Sequence, residues 1–325
     1  MSATPQPTDV LVVGAGIAGL RAGRTLADAG RAVTVFEKSR GFGGRAATKR
    51  LYGTRADHGA QYFTVRDRRL QRQVDAWLGS GHVRVWTRGF HRLTASGLEP
   101  PGEGHPRYAF PGGMSTFGKL LGGGLEVRRE ALVTELSRNS DGWAVRLRDG
   151  TVYTAKTVLL NLPAPQAAAL GRDVFSPETN AALSRVAFAP CLALIAGYKQ
   201  APPEWAAIEA PDGPVSWLAN DPSKRGGGET TLVLHGSETF SGRHLETPET
   251  ALPQMLSVAA SLGFTDPEWT ELHRWRYAKA TRPYGEPYLK DSKGLFLCGD
   301  WCGGAKVEAA YVSGLEVAAA VLESA

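Results

Sequence analysis

The chain has 325 residues, 42% of them hydrophobic, and a formal net charge of +5. This length suits two domains, and the hydrophobic fraction is enough for real cores, so composition predicts a globular two-domain protein. The densest basic run is Arg66, Arg68, Arg69 and Arg72. Its helical spacing is more typical of a solvated helix face than of a nucleic-acid surface, and we expect no nucleic-acid partner.

The cysteines, the histidines and the apolar runs of the sequence indicate the cellular compartment and whether a membrane or a metal is involved. Three cysteines are too few for a disulfide framework, and the first ten residues lack the basic and apolar regions of a signal peptide, so we expect a cytoplasmic protein. No apolar run approaches the roughly 18 residues that span a bilayer, which predicts no membrane role. The seven histidines lack metal-ligand spacing, and no metal is expected.

The first motif along the chain is a glycine-rich turn between an apolar strand and a helix. Val10–Val13 predicts a buried strand, and Leu20–Ala29 predicts a helix whose amino end faces a pyrophosphate. Glu37 follows a second apolar strand, at the distance expected of a carboxylate that hydrogen-bonds a ribose hydroxyl. The segment therefore predicts a dinucleotide site. Its expected contacts are Gly14, Gly16, Ile17, Ala18, Gly19 and Glu37.

A second glycine-rich turn, residues 38–45, comes directly after this acid. It carries many backbone donors and the side chains of Lys38, Arg40 and Arg45, with Gly44 at its tight point. The position favours a second phosphate clamp formed by Lys38, Gly44 and Arg45. The alternative is an ordinary surface loop.

The middle of the chain predicts an alternation between two domains. Residues 64–105 look like an excursion from the nucleotide domain. Three strands between 131 and 153 predict an antiparallel meander, with Asp149-Gly150 as a hairpin turn, and Thr157–Leu160 predicts a return to the nucleotide sheet. We assign residues 1–63, 106–169 and 281–325 to a dinucleotide-binding domain, and residues 64–105 and 170–280 to a substrate domain.

The far end of the chain indicates which dinucleotide is bound. A predicted strand over residues 294–298 delivers Gly299-Asp300 to the start of a long final helix. Flavoproteins use such a pair to hold a ribitol chain, which NAD lacks, so the motif favours FAD. The helix begins near Lys306, and its amino end can stabilise negative charge on the reduced flavin. Lys306 either adds to that stabilisation or is a solvated lysine at a helix start.

These motifs together resemble the GR2-type flavoproteins, and within them the renalase family. The most specific segments of the match are Gly59-Ala60-Gln61-Tyr62-Phe63 and Cys298-Gly299-Asp300-Trp301-Cys302. The resemblance implies an α/β fold with a Rossmann-type, p-hydroxybenzoate hydroxylase-like FAD-binding domain. A second α+β substrate domain is built on a mixed sheet. It also implies non-covalent FAD.

The same resemblance implies an activity and a set of site residues. The activity is oxidation of dihydro isomers of NAD(P) by hydride transfer to flavin N5, with O2 as the acceptor and hydrogen peroxide as the product. The implied catalytic residues are Gln61, Tyr62 and His235, and the implied substrate contacts are Asn220, Asp221 and Trp275. Further cofactor contacts are Ala60, Gln61, Val133, Pro163, Gly299, Asp300, Lys306, Val307, Glu308 and Ala310.

Two side chains depart from this pattern, and two border it. Asp221 stands where the family has an Asn. His58 stands where the family has an apolar residue, and we expect it to face outward. Lys224 and Arg225 lie in the predicted loop 221–229, where they form either a basic rim for an anionic nucleotide or an exposed loop.

Two other functions stay open from the sequence. One is a flavin amine oxidase that orients a small amine between aromatic rings, for which Trp217, Trp275, Tyr277 and Trp301 are candidates. The other is a non-redox flavoprotein, either mutase-like or carrying FAD structurally. In each case we expect a small-molecule partner and a monomer or homodimer.

Overall fold

The computed structural model describes residues 7–140, 142–292 and 294–324. The amino-terminal residues 1–6, which we expect to carry no signal peptide, lie outside the described residues. The chain divides into two compact units. The first comprises Met1–Gly44, Ser115–Ala187 and Ala280–Ala325, and the second comprises Arg45–Met114 and Phe188–Lys279.

The described residues form strands, α-helices and 3₁₀ helices, which are numbered in chain order. The strands are β1 (Pro7–Val13), β2 (Val33–Glu37), β3 (Thr48–Leu51), β4 (Thr54–Asp57), β5 (Arg84–Thr87), β6 (His91–Thr94), β7 (Gly97–Glu99), β8 (Arg107–Ala109), β9 (Glu126–Arg129), β10 (Val133–Asn139), β11 (Gly142–Leu147), β12 (Val152–Leu160), β13 (Ala187–Tyr198), β14 (Ala207–Glu209), β15 (Val215–Asn220), β16 (Thr230–Gly236), β17 (Trp269–Arg282), β18 (Tyr288–Ser292) and β19 (Leu295–Cys298). The helices are α1 (Ile17–Asp28), α2 (Arg68–Gly79), α3 (Ser115–Gly122), α4 (Ala164–Leu170), α5 (Pro177–Arg185), α6 (Glu238–Arg243), α7 (Leu252–Ser261), α8 (Asp300–Gly303) and α9 (Val307–Glu323), with 3₁₀ helices at Asp221–Arg225 and Pro248–Ala251.

The first unit is built on a sheet that branches at one long strand. Its main order is β10-β11-β12-β1-β2-β9, and β19 pairs with both β12 and β18. The first half of β12 pairs antiparallel with β11, and its last three residues pair parallel with β19. The predicted meander and the predicted return strand are therefore confirmed, and they share this one continuous strand.

Apolar composition explains why the parallel strands lie at the centre of this unit. Every residue of β2 is buried, as expected of a parallel strand covered on both faces. Helix α9 packs on α1 at Gly314, where an added Cβ would lie 2.8 Å from the Cβ of Arg21. Only a glycine allows this close approach of the two helices.

The second unit contains a seven-stranded sheet in the order β17-β13-β16-β15-β14-β6-β7. Alternate residues of its strands enter two separate apolar clusters, since strand side chains point to opposite faces. Leu194 and Leu234 belong to one cluster, whereas Ile195 and Val233 belong to the other. His235 lies two residues after Val233, and the strand period therefore places it on the face of the second cluster.

The unit boundaries differ from the predicted domain boundaries. Residues 45–63 and 106–114 group with the second unit, and residues 170–187 group with the first. The assignment of FAD binding to one unit and substrate binding to the other stays a prediction. No helix in the described ranges is both long and apolar enough to cross a membrane.

Candidate functional site

The parallel strands of the first unit bring distant motifs to one edge of the sheet. Val13 pairs with Phe36 and Leu160, and Leu160 pairs with Leu297. Because these strands are parallel, the segments that follow their carboxyl ends share one edge. These segments are the glycine loop after β1, Glu37 and the turn after β2, Asn161–Pro163 after β12, and Gly299-Asp300 after β19. Two motifs nearly 300 residues apart in the sequence thus lie together.

The glycine loop fits tightly against the segment after β12. The Asn161 side-chain amide donates to the Gly14 carbonyl at 3.1 Å. A Cβ on Gly16 or Gly19 would lie 2.7 or 2.8 Å from Asn161 Nδ2, and one on Gly19 would also overlap the Gly14 carbonyl oxygen. The sequence predicted that this helix begins at Leu20. Helix α1 instead begins at Ile17, because Gly16 already serves as its N-cap.

The predicted ribose acid lies at the same loop. Glu37 is buried, and its Oε2 accepts from the Ala15 backbone N–H at 2.9 Å. Its Oε1 accepts from the Ser39 backbone N–H at 2.8 Å and from the Ser39 hydroxyl at 2.7 Å. An ionised carboxylate has about four lone-pair sites, so these three bonds orient Glu37 and leave acceptor capacity for a hydroxyl.

The second glycine turn packs directly on the first. The Gly43 N–H donates to the Ala15 carbonyl at 2.8 Å. Gly44 has φ of 57°, in the left-handed region, and a Cβ there would lie 3.4 Å from the Gly16 Cα. Lys38 begins this turn and is exposed. Arg45 belongs to the second unit, where its Nη1 lies 3.4 Å from the Tyr277 and Ala278 carbonyls, and its predicted contact with phosphate stays a prediction.

The far-end motif corrects one expectation. Asp300 begins the short helix α8, and the chain breaks at Gly304 before α9 begins at Val307. Gly299 has φ of 150°, and its N–H donates to the Ser313 hydroxyl at 2.9 Å. Asp300 therefore lies one short helix before the final helix and not at its start, whereas the predicted start of the final helix near Lys306 is confirmed; Gly304, with φ of 140°, lies between the two helices.

Of the other predicted cofactor residues, Ala60 and Gln61 belong to the second unit, and the rest are distributed over the first unit. Lys306 is the extended N-cap of α9, and Glu308 lies in its first turn. The Ala310 N–H donates to the Lys306 carbonyl at 3.2 Å. Pro163 is the N-cap of α4, and Val133 is the buried first residue of β10.

These residues fit a dinucleotide at the sheet edge. In the described part of the chain no side chain caps α1, and its first turn carries no acidic residue, so its amino end suits a pyrophosphate. The glycine contacts leave a cradle that side chains would fill. Burial raises the pKa of the Cys298 thiol to about 12, which keeps it protonated and fits a non-covalent cofactor.

The second unit contains a buried cluster of four charged side chains, Asp57, Asp221, Lys224 and Arg225, which we call the charge quartet. The Lys224 side chain is fully buried, as are both carboxylates. Its ammonium lies 3.2 Å from Asp57 Oδ2 and 2.9 Å from Asp221 Oδ1. Arg225 pairs with Asp221 and lies 3.5 Å from Asp57 Oδ2. Two cations thus balance two carboxylates.

This arrangement overturns both interpretations of Lys224 and Arg225. They form neither a basic rim nor an exposed loop, because residues 221–225 fold as a 3₁₀ helix that turns both side chains inward. Asp221, a predicted substrate contact, has its carboxylate engaged by these cations. The role of Asp221 toward a substrate stays a prediction.

Gln61 connects the charge quartet to His235. Lys224 donates to Gln61 Oε1 at 2.9 Å, and Gln61 Nε2 lies 3.5 Å from His235 Nε2. Burial, together with the Lys224 charge, lowers the pKa of His235 to about 4. The imidazole is therefore neutral near pH 7. Two predicted catalytic residues are in this way adjacent in the structure.

His58 does not face outward, as we expected. It is 6% exposed, with its ring 4.6 Å from that of His273 and 5.2 Å from that of Trp275. Burial lowers the pKa of His58 to about 3. The His58 carbonyl accepts from Trp275 Nε1 at 2.9 Å, so the indole N–H of this predicted substrate contact is already engaged. The packing partners of His58 lie over 200 residues away, which hid its burial from the sequence.

Tyr62 belongs to an aromatic cluster on the same sheet face as His235. Its ring lies 5.0 Å from Phe90 and 5.7 Å from Trp217, and Trp217 pairs in register with His235. The amide of Ala60, just before this segment, donates to the Arg45 carbonyl at 2.9 Å. Burial raises the pKa of Tyr62, so the phenol stays protonated near neutral pH.

Asn220, the last predicted substrate residue, is 4% exposed. Its Nδ2 donates to the Pro203 carbonyl at 3.0 Å. Asp57 and Lys224 are the residues of this region that sequence reasoning missed. A usable signal was present, because Asp221 and Lys224 are three residues apart and Asp57 precedes Gln61 by four.

The sheet edge and the glycine loop define a Rossmann-type dinucleotide-binding protein. A profile of NAD(P)-binding Rossmann-like domains matches residues 12–77. The profile of the flavin containing amine oxidoreductases matches residues 87–322, most of the chain, and the chain belongs to that family. It is therefore an FAD-dependent oxidoreductase.

Individual relatives agree with this assignment. The chain is 25% identical to renalase of Mus musculus over 298 residues, which cover 84% of this chain and 85% of the mouse protein. It is 37% identical to putrescine oxidase of Kocuria rosea over 118 residues, which cover 36% of this chain and 24% of that protein. Its structure is similar to that of a putrescine oxidase with bound putrescine, with a TM-score of 0.77 and 15% identity, covering 98% of this chain and 100% of that chain. The predicted family resemblance and fold class are confirmed.

Proposed function

We propose that the protein oxidises dihydropyridine isomers of NAD(P)H, the 2- or 6-dihydro forms. In this reaction a hydride leaves the pyridine ring, O2 takes up the two electrons and the proton of the hydride together with one proton from solvent, and the products are NAD(P)+ and hydrogen peroxide. The proposal extends the family assignment to a substrate class, and it accords with the resemblance of the motifs to the renalase family. The first unit would bind FAD, and the second would supply the side chains that face the substrate.

The observation that carries the proposal is the charge state of the cluster around Gln61 and His235. Both carboxylates there, Asp57 and Asp221, are ion-paired, and the imidazole is neutral near pH 7. A general base for an alkylammonium substrate needs a free carboxylate or an imidazole with a pKa near the working pH. A dihydropyridine needs neither, because it becomes an aromatic cation once hydride leaves.

The aromatic cluster supports the same substrate class. Tyr62, Phe90 and Trp217 present rings with centroids 4.6 to 5.7 Å apart on the sheet face that carries His235. Such a surface suits a flat, neutral heterocycle by stacking.

The residues of this chain would bind and orient rather than transfer protons. FAD supplies the hydride acceptor when bound. Glu37 would accept from a ribose hydroxyl, and the amino end of α1 would hold the pyrophosphate. Gln61 and His235 would contact the ring substituent of the substrate through neutral hydrogen bonds.

A flavin amine oxidase is the second candidate, favoured by the family profile itself. Of the rings that we considered for an amine cage, Trp301 is 1% exposed and its Nε1 donates to the Leu162 carbonyl, so it packs in the core of the first unit. An amine cage binds its cation over ring faces, and the Trp275 ring is stacked on His58, with centroids 5.2 Å apart. These contacts weaken the amine-cage interpretation. Membership of an oxidoreductase family likewise disfavours a non-redox role.

Anaerobic stopped-flow reduction of the purified holoprotein tests the proposal. We expect the 2- and 6-dihydro isomers to bleach the visible flavin absorbance rapidly, and putrescine and benzylamine to do so slowly. In air, each isomer consumed should release one hydrogen peroxide. Rapid bleaching by the amines with none by the isomers would overturn the proposal.

A matched pair of histidine variants localises the effect. His235→Asn should lower the limiting rate constant for reduction by the isomers. His82→Asn should leave it unchanged, because His82 is exposed and its ring bonds Ser80 at the surface. Equal rate constants in both variants would remove His235 from the substrate site.

A further inference from the structure

The Lys224 ammonium has an acceptor for each of its three N–H groups. These acceptors are Asp57 Oδ2, Asp221 Oδ1 and Gln61 Oε1, at 2.9 to 3.2 Å. Two of them are carboxylates that balance its charge. The third, Gln61, is neutral and points toward His235, so one bond of the charge quartet is directed out of it.

This bond fixes which way the Gln61 amide faces. A lysine ammonium can only donate, so the amide atom opposite it must be the oxygen. The amide NH2 then faces the Asp57 carbonyl, the Gly59 carbonyl at 3.1 Å and His235 Nε2 at 3.5 Å. In many proteins amide orientation is ambiguous, but here the chemistry of the partner decides it.

The amide orientation in turn selects one form of His235. The Gln61 NH2 group can only donate, and the Asp57 carbonyl, the Gly59 carbonyl and His235 Nε2 share its two N–H groups. A proton on His235 Nε2 would face this donor group, so the arrangement favours an unprotonated Nε2 with the ring proton on Nδ1. Protonation of Nε2 would set two donors against each other beside the Lys224 charge. The geometry thus admits the neutral, Nδ1-protonated imidazole.

We propose that Lys224 is a positioning residue, which fixes the Gln61 amide and, through it, the Nδ1-protonated neutral form of His235. This inference rests on the proposed function, which takes Gln61 and His235 as the groups facing the substrate. A neutral His235 avoids repulsion of the pyridinium charge that develops as hydride leaves. The Lys224 charge itself is compensated by the two carboxylates.

A charge-matched double variant, Lys224→Met with Asp221→Asn, removes the ammonium without leaving an unpaired carboxylate in its place. Asp57 keeps Arg225 as its partner in this variant. The matched control is Lys199→Met with Glu268→Gln, which removes an exposed ion pair of 3.1 Å from the same unit. Gln61→Leu removes the amide that links Lys224 to His235 and keeps the whole charge quartet. It is the second test variant if the double variant does not fold.

The direct readout is the tautomer of His235 in the FAD-loaded protein, from long-range 15N–1H correlation spectra of 15N-histidine-labelled samples at pH 7. His235→Asn assigns the signals. The wild type and the surface control should show the Nδ1-protonated pattern, and the Lys224 double variant and Gln61→Leu should lose it. Limiting rate constants for reduction by the dihydropyridine isomers should fall about ten-fold in the double variant, which corresponds to about 1.4 kcal/mol of activation free energy.

The two proposals fail in different ways. An unchanged His235 tautomer in a folded double variant, or in Gln61→Leu, overturns the positioning role whatever the substrate is. A changed tautomer together with no reduction of the wild-type flavin by either isomer supports the positioning role and overturns the proposed function. Retention of FAD and thermal unfolding near those of the control show that the variant is folded.

Discussion

The packing of Gly19 against the glycine loop leads to a quantitative prediction for FAD binding. In Gly19→Ala, the new Cβ overlaps the Gly14 carbonyl oxygen and lies 2.8 Å from Asn161 Nδ2, so α1 must move away from the loop. Gly23→Ala is the matched control one turn later on α1. Its Cβ meets only side-chain ends, of Leu125, Val33 and Val35, at 3.4 to 3.6 Å.

The control separates the clash from helix propensity. Replacing glycine by alanine inside a helix contributes about 1 kcal/mol of stability at either position, so this contribution cancels between the two variants. Overpacking costs about 1 to 3 kcal/mol, and Gly19→Ala alone incurs it. If the displaced loop is the pyrophosphate site, FAD binding must force the loop back against the new Cβ, and a cost of about 1 to 3 kcal/mol then weakens FAD binding about 5-fold to 150-fold.

Titration of apoprotein with FAD, followed by quenching of flavin fluorescence, measures this difference, and thermal unfolding without FAD measures the cost to the fold. We expect Gly23→Ala to bind FAD like the wild type and to unfold at the same or a higher temperature. Equal FAD affinity in the two alanine variants would refute the placement of the pyrophosphate at this loop.

Three further predictions follow from single contacts. Asp300→Ala should weaken FAD retention during gel filtration with little change in thermal unfolding of the apoprotein, and unchanged retention would mean that the ribitol contact lies elsewhere. His58 and His235 have pKa values lowered by burial to about 3 and about 4, so each is neutral when folded and charged when unfolded below pH 6.5. Above pH 6.5 neither histidine costs stability. As the pH falls from 6.5 to 5, the free energy of unfolding should fall by about 1.4 kcal/mol per pH unit for each histidine. In His58→Asn, the free energy of unfolding measured by urea unfolding should depend less steeply on pH in this window. Asp67→Ala removes the N-cap of α2, whose carboxylate accepts from the Arg69 N–H at 2.7 Å, and should lower the free energy of unfolding by about 1 kcal/mol in urea unfolding, unlike Asp75→Ala on the exposed side of that helix.

The sheet edge that carries the predicted cofactor motifs, which we call the cofactor edge, was largely predictable because its determinants are local. The glycine spacing, the apolar strands and Glu37 lie within one short segment, and the strand–turn–helix order alone predicts their arrangement. Gly299-Asp300 was found in the same way. The short helix α8 was missed because its end depends on the positive φ of Gly304, which sequence periodicity does not reveal.

The burial of the charge quartet was not predictable, because its bonds to Asp57 are long-range, although the pairs that Asp221 forms with Lys224 and Arg225 are local. A segment with a proline, a lysine, an arginine and three glycines is typical of an exposed loop, and residues 221–229 follow that composition. The burial of Lys224 comes from Asp57, 167 residues earlier in the chain. The burial of His58 was unpredictable for the same reason, because its partner Trp275 lies 217 residues later in the chain. Pairing over such separations is set by the fold and not by any local pattern.

The three-segment construction of the first unit fixes when its cofactor edge can form during synthesis. The ribosome has made every residue of the second unit once residue 279 is added, whereas the first unit still lacks β18, β19, α8 and α9. Until β19 emerges, the last three residues of β12 have no partner on that side. The sequence of the second unit is therefore complete while the chain is still growing, whereas the sheet edge at which we predict FAD binding is complete only after β19 and the Gly299-Asp300 segment have been added, late in translation.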